Sequence, residues 1–421
     1  MSIFIYVVKT GDSLFSIANK YQVSMDSVRG INGLTTDKLV VGQDLLIPTD
    51  MYTVQPGDSL YIISRMSFIP IEKISLFNGL HSDVLMVGTK LYLPPRKKYS
   101  AENFSYLTPS TPERNTMLVQ SFAPINTFLG IFEHHILANG SLSTLDDQQI
   151  IRTARANRIA PLAVVTNLTS TGFDPELTRR VLGSTEIRNR VINNIYQLVK
   201  NNSYAGVNID FELVPEELRD LYTGFLHALR ARLKPEGYYT SVAIPPKMNN
   251  DIPWLKGYDY GGIGASVDFV FIMAYDFHEA SSPPGPVAPI NEVRKTIEFA
   301  LQHMNRNKII LGVPRYGYDW TMDNGNAVSA RAVSVAEAVE NAMIAQVPIS
   351  YSTEYQQPFY QYWDSNGQRH IVWYEDSRAR AEKLELVVEY RLKGAGAWQL
   401  GLQFAQSAIL VKEFFNTKKV L

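Results

Sequence analysis

The apolar positions of this chain follow two rhythms. From Phe104 onward, short runs of β-branched and aromatic residues alternate with stretches in which apolar residues recur every three or four positions. Side chains of a strand alternate between faces, and those of a helix return to one face about every 3.6 residues, so the chain reads as strand and helix in turn. Eight runs predict strands: Phe104–Leu107, Thr127–Glu133, Ala160–Val165, Gly206–Glu212, Tyr239–Ile244, Val267–Tyr275, Ile309–Val313 and Gly396–Leu400. Helical segments lie between most of them, and strands joined through helices run parallel. The expected fold is therefore α/β, a (β/α)8 TIM barrel. One interval breaks the rhythm: about 319–376, after the seventh strand, carries its own strand-like pattern and is rich in Tyr and Trp. It is expected to be an inserted α+β subdomain at the mouth of the barrel, with Tyr351, Tyr360, Tyr362, Trp363, Trp373 and Tyr374 forming a cleft wall. The competing account for each of these aromatics is packing in a small β-rich core.

Ahead of the barrel the pattern repeats itself. Tyr6-Val7-Val8-Lys9-Thr10-Gly11-Asp12-Ser13-Leu14 returns as Tyr52-Thr53-Val54-Gln55-Pro56-Gly57-Asp58-Ser59-Leu60, an offset of 46 residues. Asn32-Gly33-Leu34 returns as Asn78-Gly79-Leu80 and Val41-Gly42 as Val87-Gly88, at the same offset. Each unit reads as a strand, a helix capped by Ser13 or Ser59, a second helix, an Asn-Gly turn and a closing strand. The result is a small βααβ module, placed at 3–48 and again at 51–94. Pro94-Pro95-Arg96-Lys97-Lys98 opens a stiff, solvated linker at 95–101, and the barrel is expected over 102–421. The repeated residues resemble two LysM domains, a family that binds glycans containing N-acetylglucosamine. The resemblance implies that the pair anchors the protein to such a glycan, where two weak sites on one polymer gain avidity. Taken alone, Gly-Asp-Ser-Leu is only a helix-capping signal.

Candidate chemistry concentrates on the fourth strand. In Gly206-Val207-Asn208-Ile209-Asp210-Phe211-Glu212 polar and apolar residues alternate, so Asn208, Asp210 and Glu212 share one face. Acids in a barrel interior displace the Val, Ile and Leu that normally fill it, which points to use in catalysis. With a strand rise of about 3.3 Å per residue, Asp210 and Glu212 lie about 6.6 Å apart along the backbone, and like-charge proximity holds one of them protonated near neutral pH. These residues resemble the signature of family 18 glycoside hydrolases, the chitinase-like enzymes, which reads Asp-Gly-x-Asp-x-Asp-x-Glu.

The resemblance implies Glu212 as catalytic acid/base and Asp210 as the carboxylate that orients the substrate acetamido group. Two positions depart from the signature: Ala205 and Asn208 replace acids, with Asn208 expected to hydrogen-bond Asp210 and to count among the substrate-binding residues. Met273-Ala274-Tyr275-Asp276 resembles the family's Met-x-Tyr-Asp motif, implying that Tyr275 meets the acetamido carbonyl and Asp276 holds the adjoining sugar. Gly394-Ala395-Gly396-Ala397-Trp398 resembles its closing strand, with Trp398 as a platform under the sugar ring. In Gly312-Val313-Pro314-Arg315-Tyr316-Gly317 the family's following arginine is replaced by Tyr318, and the Ser-x-Gly-Gly of the third strand by Val165-Thr166-Asn167-Leu168.

Composition narrows the partners. Lys plus Arg number 40 against 41 Asp plus Glu, a net charge of -1, so no strong field draws the chain to nucleic acid. There is no cysteine, which excludes disulfides and thiolate chemistry. No apolar run approaches the roughly 20 residues that span a bilayer. The first residues, Met1 to Val8, lack a basic start and are expected to form a strand rather than a signal peptide. A metal site at Glu133, His134 and His135 is disfavoured because adjacent histidines on a strand face opposite sides, and no cofactor is expected.

Two LysM modules ahead of such a barrel resemble the spore cortex-lytic N-acetylglucosaminidases of endospore-forming bacteria. That resemblance implies a spore-associated peptidoglycan hydrolase, placed in the coat and cortex region by the mother cell without a signal peptide. It implies cleavage after N-acetylglucosamine by substrate-assisted catalysis with retention. A chitinase acting on chitin oligomers and a non-catalytic glycan-binding coat protein are the competing readings. Endo or exo action and oligomeric state stay open.

Overall fold

The computed structural model describes residues 2–421. Eight parallel strands close into a barrel in the order expected of alternating strands and helices: Phe104–Leu107, Phe128–His135, Ala160–Thr166, Gly206–Asp210, Tyr239–Ile244, Phe269–Ile272, Ile309–Pro314 and Gly394–Trp398, the last pairing with the first. The strands are nearly continuous apolar runs because helices cover their outer faces and side chains fill the interior. Phe104, Phe269 and Phe271 pack edge to face inside, with the ring centroids of Phe269 and Phe271 6.1 and 5.4 Å from that of Phe104.

Two strands are shorter than their sequence pattern suggests, and both end at the candidate site. The fourth stops at Asp210 instead of Glu212, because the Glu212 backbone bonds to the Asn167 side chain rather than to a neighbouring strand. The sixth stops at Ile272 instead of Tyr275: the N–H groups of Ala274 and Tyr275 turn back to the carbonyls of Ile272 and Met273, both at 2.8 Å. The chain is thereby free to turn its side chains toward the barrel mouth.

The insertion is a five-stranded antiparallel sheet with strand order Asn326–Ser334, Tyr316–Asp323, Arg369–Tyr374, Gln357–Trp363 and Ser350–Ser352, backed by the helix Val335–Ile344. The expected cleft wall of aromatics is not formed. Tyr360 and Tyr374 lie in the insertion's own core, Tyr351 lies against the Arg378 guanidinium, Trp373 stacks on Phe359 and Trp363 faces solvent. Burial against a second layer satisfies a small sheet's apolar face before it can serve a cleft. The insertion instead contributes its first strand, whose Tyr316 and Tyr318 reach the site.

Each N-terminal unit is a βααβ module: Ile3–Val7, Leu14–Lys20, Met25–Asn32 and Asp44–Pro48, then Met51–Thr53, Leu60–Ser67, Ile71–Phe77 and Lys90–Tyr92. Ser13 and Ser59 cap their helices as expected, and Asn32 and Asn78 each bridge the second helix to the closing strand at 2.7–2.8 Å. The linker is less free than its composition implies. Arg96 is not solvated: it pairs with Glu385, donates to the Phe68 carbonyl and lies 3.8 Å from the Phe414 ring centroid. Tyr99–Ala101 then pairs with Phe415–Thr417, so the chain is tied down on both sides of the two exposed lysines.

Candidate active site

The C-terminal ends of the barrel strands open into a cleft of about 640 Å³. Asp210, Glu212, Tyr275, Asp276 and Trp398 all line it, although they come from the fourth, sixth and eighth strands. Closure of the barrel is what gathers them, since strands far apart in sequence end at one rim. Apolar walls come from Leu168 and Phe173 after the third strand and from Met248, Ile252 and Trp254 after the fifth, with Trp254 58% exposed at the rim. These wall residues carry no periodic signal, because they sit on loops or on elements of two or three residues.

Glu212 stands two residues beyond the last paired residue of its strand, held by an unusual device. Asn167 accepts from the Glu212 N–H at 2.9 Å and donates to the Glu212 carbonyl at 2.9 Å, so one buried amide occupies both backbone groups. Leu213 follows with φ of 55°, a left-handed turn that swings the chain away after Glu212. Asn167 occupies the place where the family's third-strand motif was missing.

Among the described residues no cationic side chain acts on the acids. Asp210 is buried, its Oδ1 has no hydrogen-bond partner, and its pKa is pushed up to about 7, first by burial and then by the charge of Glu133. Glu212 is held well above the carboxylate range by burial, then by Asp210 and Asp276. Asp276, with φ of 59°, accepts from Tyr316 at 2.6 Å and from Tyr318 at 3.2 Å. Burial still raises its pKa to about 6 against those two hydrogen bonds. A hydroxyl at Tyr318 where an arginine was expected solvates Asp276 without supplying positive charge.

Tyr275 is buried at the cleft floor, edge-on to Tyr316 at 6.3 Å. Trp398 stands edge-on to Phe132 at 4.8 Å and to Tyr106 at 5.3 Å, a packed apolar floor.

Asn208 does not join this group. It is fully buried below the cleft, accepting from the Tyr106 hydroxyl at 2.8 Å and donating to Ser241 at 3.0 Å. The expected Asn208–Asp210 hydrogen bond is absent among the described residues, and Asn208 is not among the cleft-lining side chains. Tyr106 from the first strand, across the barrel, and Ser241 from the adjacent fifth strand claim its amide first, contacts that alternation along one strand cannot reveal. Glu133 is the acid that sequence reasoning missed in this role: its pKa is raised by burial, and its charge acts on Asp210. His134 and His135 diverge, the first toward Asp147 at 3.2 Å and the second toward the Leu168 carbonyl at 2.9 Å.

The cleft thus sets two acids with raised pKa values side by side above an aromatic floor, an arrangement suited to protonating a leaving oxygen and to supporting positive charge on a sugar. Comparison with known proteins agrees in kind. The model for glycosyl hydrolases family 18 matches residues 91–403, and the LysM domain model matches 6–48 and 52–94. YdhD of Bacillus subtilis is 47% identical over 419 residues, covering 99% of this chain and 100% of that one. The cortical fragment-lytic enzyme of Bacillus subtilis is 40% identical over 425 residues, covering 99% of each. The crystal structure of the Bacillus cereus spore cortex-lytic enzyme SleL superposes with a TM-score of 0.91 at 35% identity, covering 100% of both chains. The chain belongs to the glycosyl hydrolases of family 18, as a glycoside hydrolase with two LysM domains ahead of its barrel.

Proposed function

We propose that this glycoside hydrolase cuts the glycan strands of spore cortex peptidoglycan after N-acetylglucosamine, with Glu212 as acid/base. Family 18 enzymes use the substrate's own acetamido group in place of a second protein nucleophile. Glu212 donates its proton to the leaving glycosidic oxygen while the acetamido carbonyl attacks the anomeric carbon from the opposite face. Asp210 and the Tyr275 hydroxyl orient that group and support the positive charge of the oxazolinium ion. Glu212, now ionised, takes a proton from the water that opens the ring, and the anomeric configuration is retained. Asp276 holds the adjoining sugar and Trp398 lies beneath the reacting one.

The observation that carries this reading is the cluster of Glu212, Asp210 and Asp276 at the barrel mouth with raised pKa values and, among the described residues, no cationic side chain acting on them. Such a carboxyl keeps its proton near neutral pH, as a general acid must. Two whole-length relatives named for cortex lysis support the cortex as substrate over chitin. The repeats would serve as glycan anchors. Phe15 and Tyr61, at equivalent positions of the first helices, are 63% and 64% exposed and offer one flat ring each. Action on cortex assigns the protein to the spore.

The test is mass spectrometry of products from purified spore cortex and from chitin oligomers, for the wild type and Glu212→Gln. Fragments ending in reducing N-acetylglucosamine are expected from cortex, with turnover about 10²–10⁴ lower in the variant. Preferential cutting of chitin would make the protein a chitinase, and no products from either would make it a binding protein. Near-normal turnover in Glu212→Gln would remove Glu212 from its role.

A further inference from the structure

Away from the cleft, a small cavity lies between the first and eighth barrel strands and the helices that cover them. Its volume, about 10 Å³, admits a single water-sized or monatomic occupant. Arg315, just past the seventh strand, and Arg380, on the helix Ser377–Glu389, both line it, and no acidic side chain does. Both arginines are 2% exposed, and both guanidinium groups lie within 6 Å of the Phe404 ring centroid, at 5.9 and 5.8 Å.

Among the described residues, four buried nitrogens in this group have no partner: Arg315 Nε, Arg380 Nε, Arg380 Nη1 and the amide nitrogen of Asn126. Other polar atoms of Arg315 and Asn126 are already committed. Arg315 donates to Ser407 at 2.5 Å and to the Leu402 carbonyl at 2.9 Å, and the Asn126 oxygen accepts from Ser105 at 2.7 Å. Glu375, the one acid whose charge acts on Arg380, is held by Lys383 at 3.0 and 3.1 Å and by Gln357 at 2.8 Å. Burial lowers both guanidinium pKa values, that of Arg380 to about 10; the charge of Arg380 acts further on Arg315, while the charge of Glu375 opposes the shift at Arg380.

Buried charges are ordinarily paired, and buried donors ordinarily meet an acceptor. The unpartnered atoms here are all donors. A water would accept from two of them and would still have to place its own protons, whereas a monatomic anion accepts from every side. We propose that this cavity binds one small monovalent anion of halide size, held by Arg315, Arg380 and Asn126. The site is separate from the cleft but mechanically close to it. The Arg315 N–H donates to the Trp398 carbonyl at 3.1 Å, and the next residue, Tyr316, holds Asp276. An anion here would steady the ends of the seventh and eighth strands on which the cleft floor rests.

Crystals of the full chain grown in sodium bromide, with data collected at the bromine absorption edge, test the proposal directly. An anomalous peak is expected between Arg315, Arg380 and Asn126, and a map without a peak there overturns the site. Thermal unfolding supplies the second readout. At equal ionic strength, sodium bromide or chloride is expected to raise the wild-type Tm by roughly 2–4 °C over sodium gluconate, whose anion is too large to enter. Arg380→Met is expected to abolish that difference whatever its own Tm, and Asn126→Ala to reduce it if Arg380→Met does not fold. Equal Tm values in halide and gluconate overturn the proposal, as does a bromide peak whose halide effect persists in both variants, which would mark an adventitious ion only.

Discussion

The two N-terminal repeats share one residue pattern at an offset of 46 and one βααβ fold, yet they stand in different surroundings. Repeat one is built into the rest of the molecule. Its Ile5 and Leu46 belong to the same core as the barrel, Val40 joins the core of the insertion, and Asp44 accepts from the Ser377 N–H at 3.1 Å. In repeat two the counterparts of Val40, Leu46 and Asp44 are Met86, Tyr92 and Lys90, and all three lie at the surface. Its ties to the barrel side are an apolar contact, Phe68 against Phe414 with ring centroids 5.5 Å apart, and ion pairs from Arg65 to Glu382 and from the Arg96 that follows it to Glu385. A repeated pattern therefore specifies the module, while docking depends on the few outward positions that do not repeat.

The contrast can be broken most forcefully at Leu46. With Leu46 wholly buried against the barrel core and Tyr92 57% exposed, Leu46→Ala is expected to cost about 2–5 kcal/mol and Tyr92→Ala about 0.5 kcal/mol or less in urea unfolding. Equal losses would mean that repeat one is not part of the cooperative unit.

A smaller separation is expected between Gly42→Ala and Gly88→Ala. Both glycines have φ of 88°, so each alanine carries the left-handed cost of roughly 1–2 kcal/mol. A Cβ on Gly42 would also come 1.9 Å from the Ile349 carbonyl oxygen, whereas one on Gly88 would meet nothing within 4 Å. The Gly42 variant should lose a further 1–3 kcal/mol or so by the same measurement. If the two variants unfold alike, repeat one does not hold its seat against the insertion in solution.

The least effect belongs to Arg65→Ala, which removes an ion pair whose arginine side chain is 41% exposed. A loss of about 0.2–1 kcal/mol, shrinking in high salt, is expected from unfolding at low and high ionic strength. A larger, salt-independent loss would show repeat two to be docked as firmly as repeat one.

The legibility of the catalytic region follows the same division. Asp210 and Glu212 were readable from the alternation of their strand, Tyr275, Asp276 and Trp398 from resemblance to the family's motifs at the ends of other strands, and barrel closure brings those strand ends to one rim. Asn208 shows the limit of that reasoning. Its inward direction follows from alternation, but its depth does not, and Tyr106 and Ser241 from other strands take its amide. Asn167 had a faint signal, an amide where the family's small residues were missing, yet its bidentate hold on Glu212 crosses 45 residues of sequence. Trp254 and Met248 had none, since loop residues meet the cleft only through the path of the loop.

By itself, then, the sequence determined the local periods, the caps, the duplicated module and the set of acids, because each depends on neighbours along the chain or on a fixed strand geometry. Only the tertiary structure decided how each repeat is docked, which asparagine holds Glu212, which acid acts on Asp210, and where two arginines are buried with guanidinium nitrogens left unpartnered. Those outcomes rest on contacts between residues tens or hundreds of positions apart, and in a close-packed interior the identity of a neighbour follows from the whole fold rather than from any one segment.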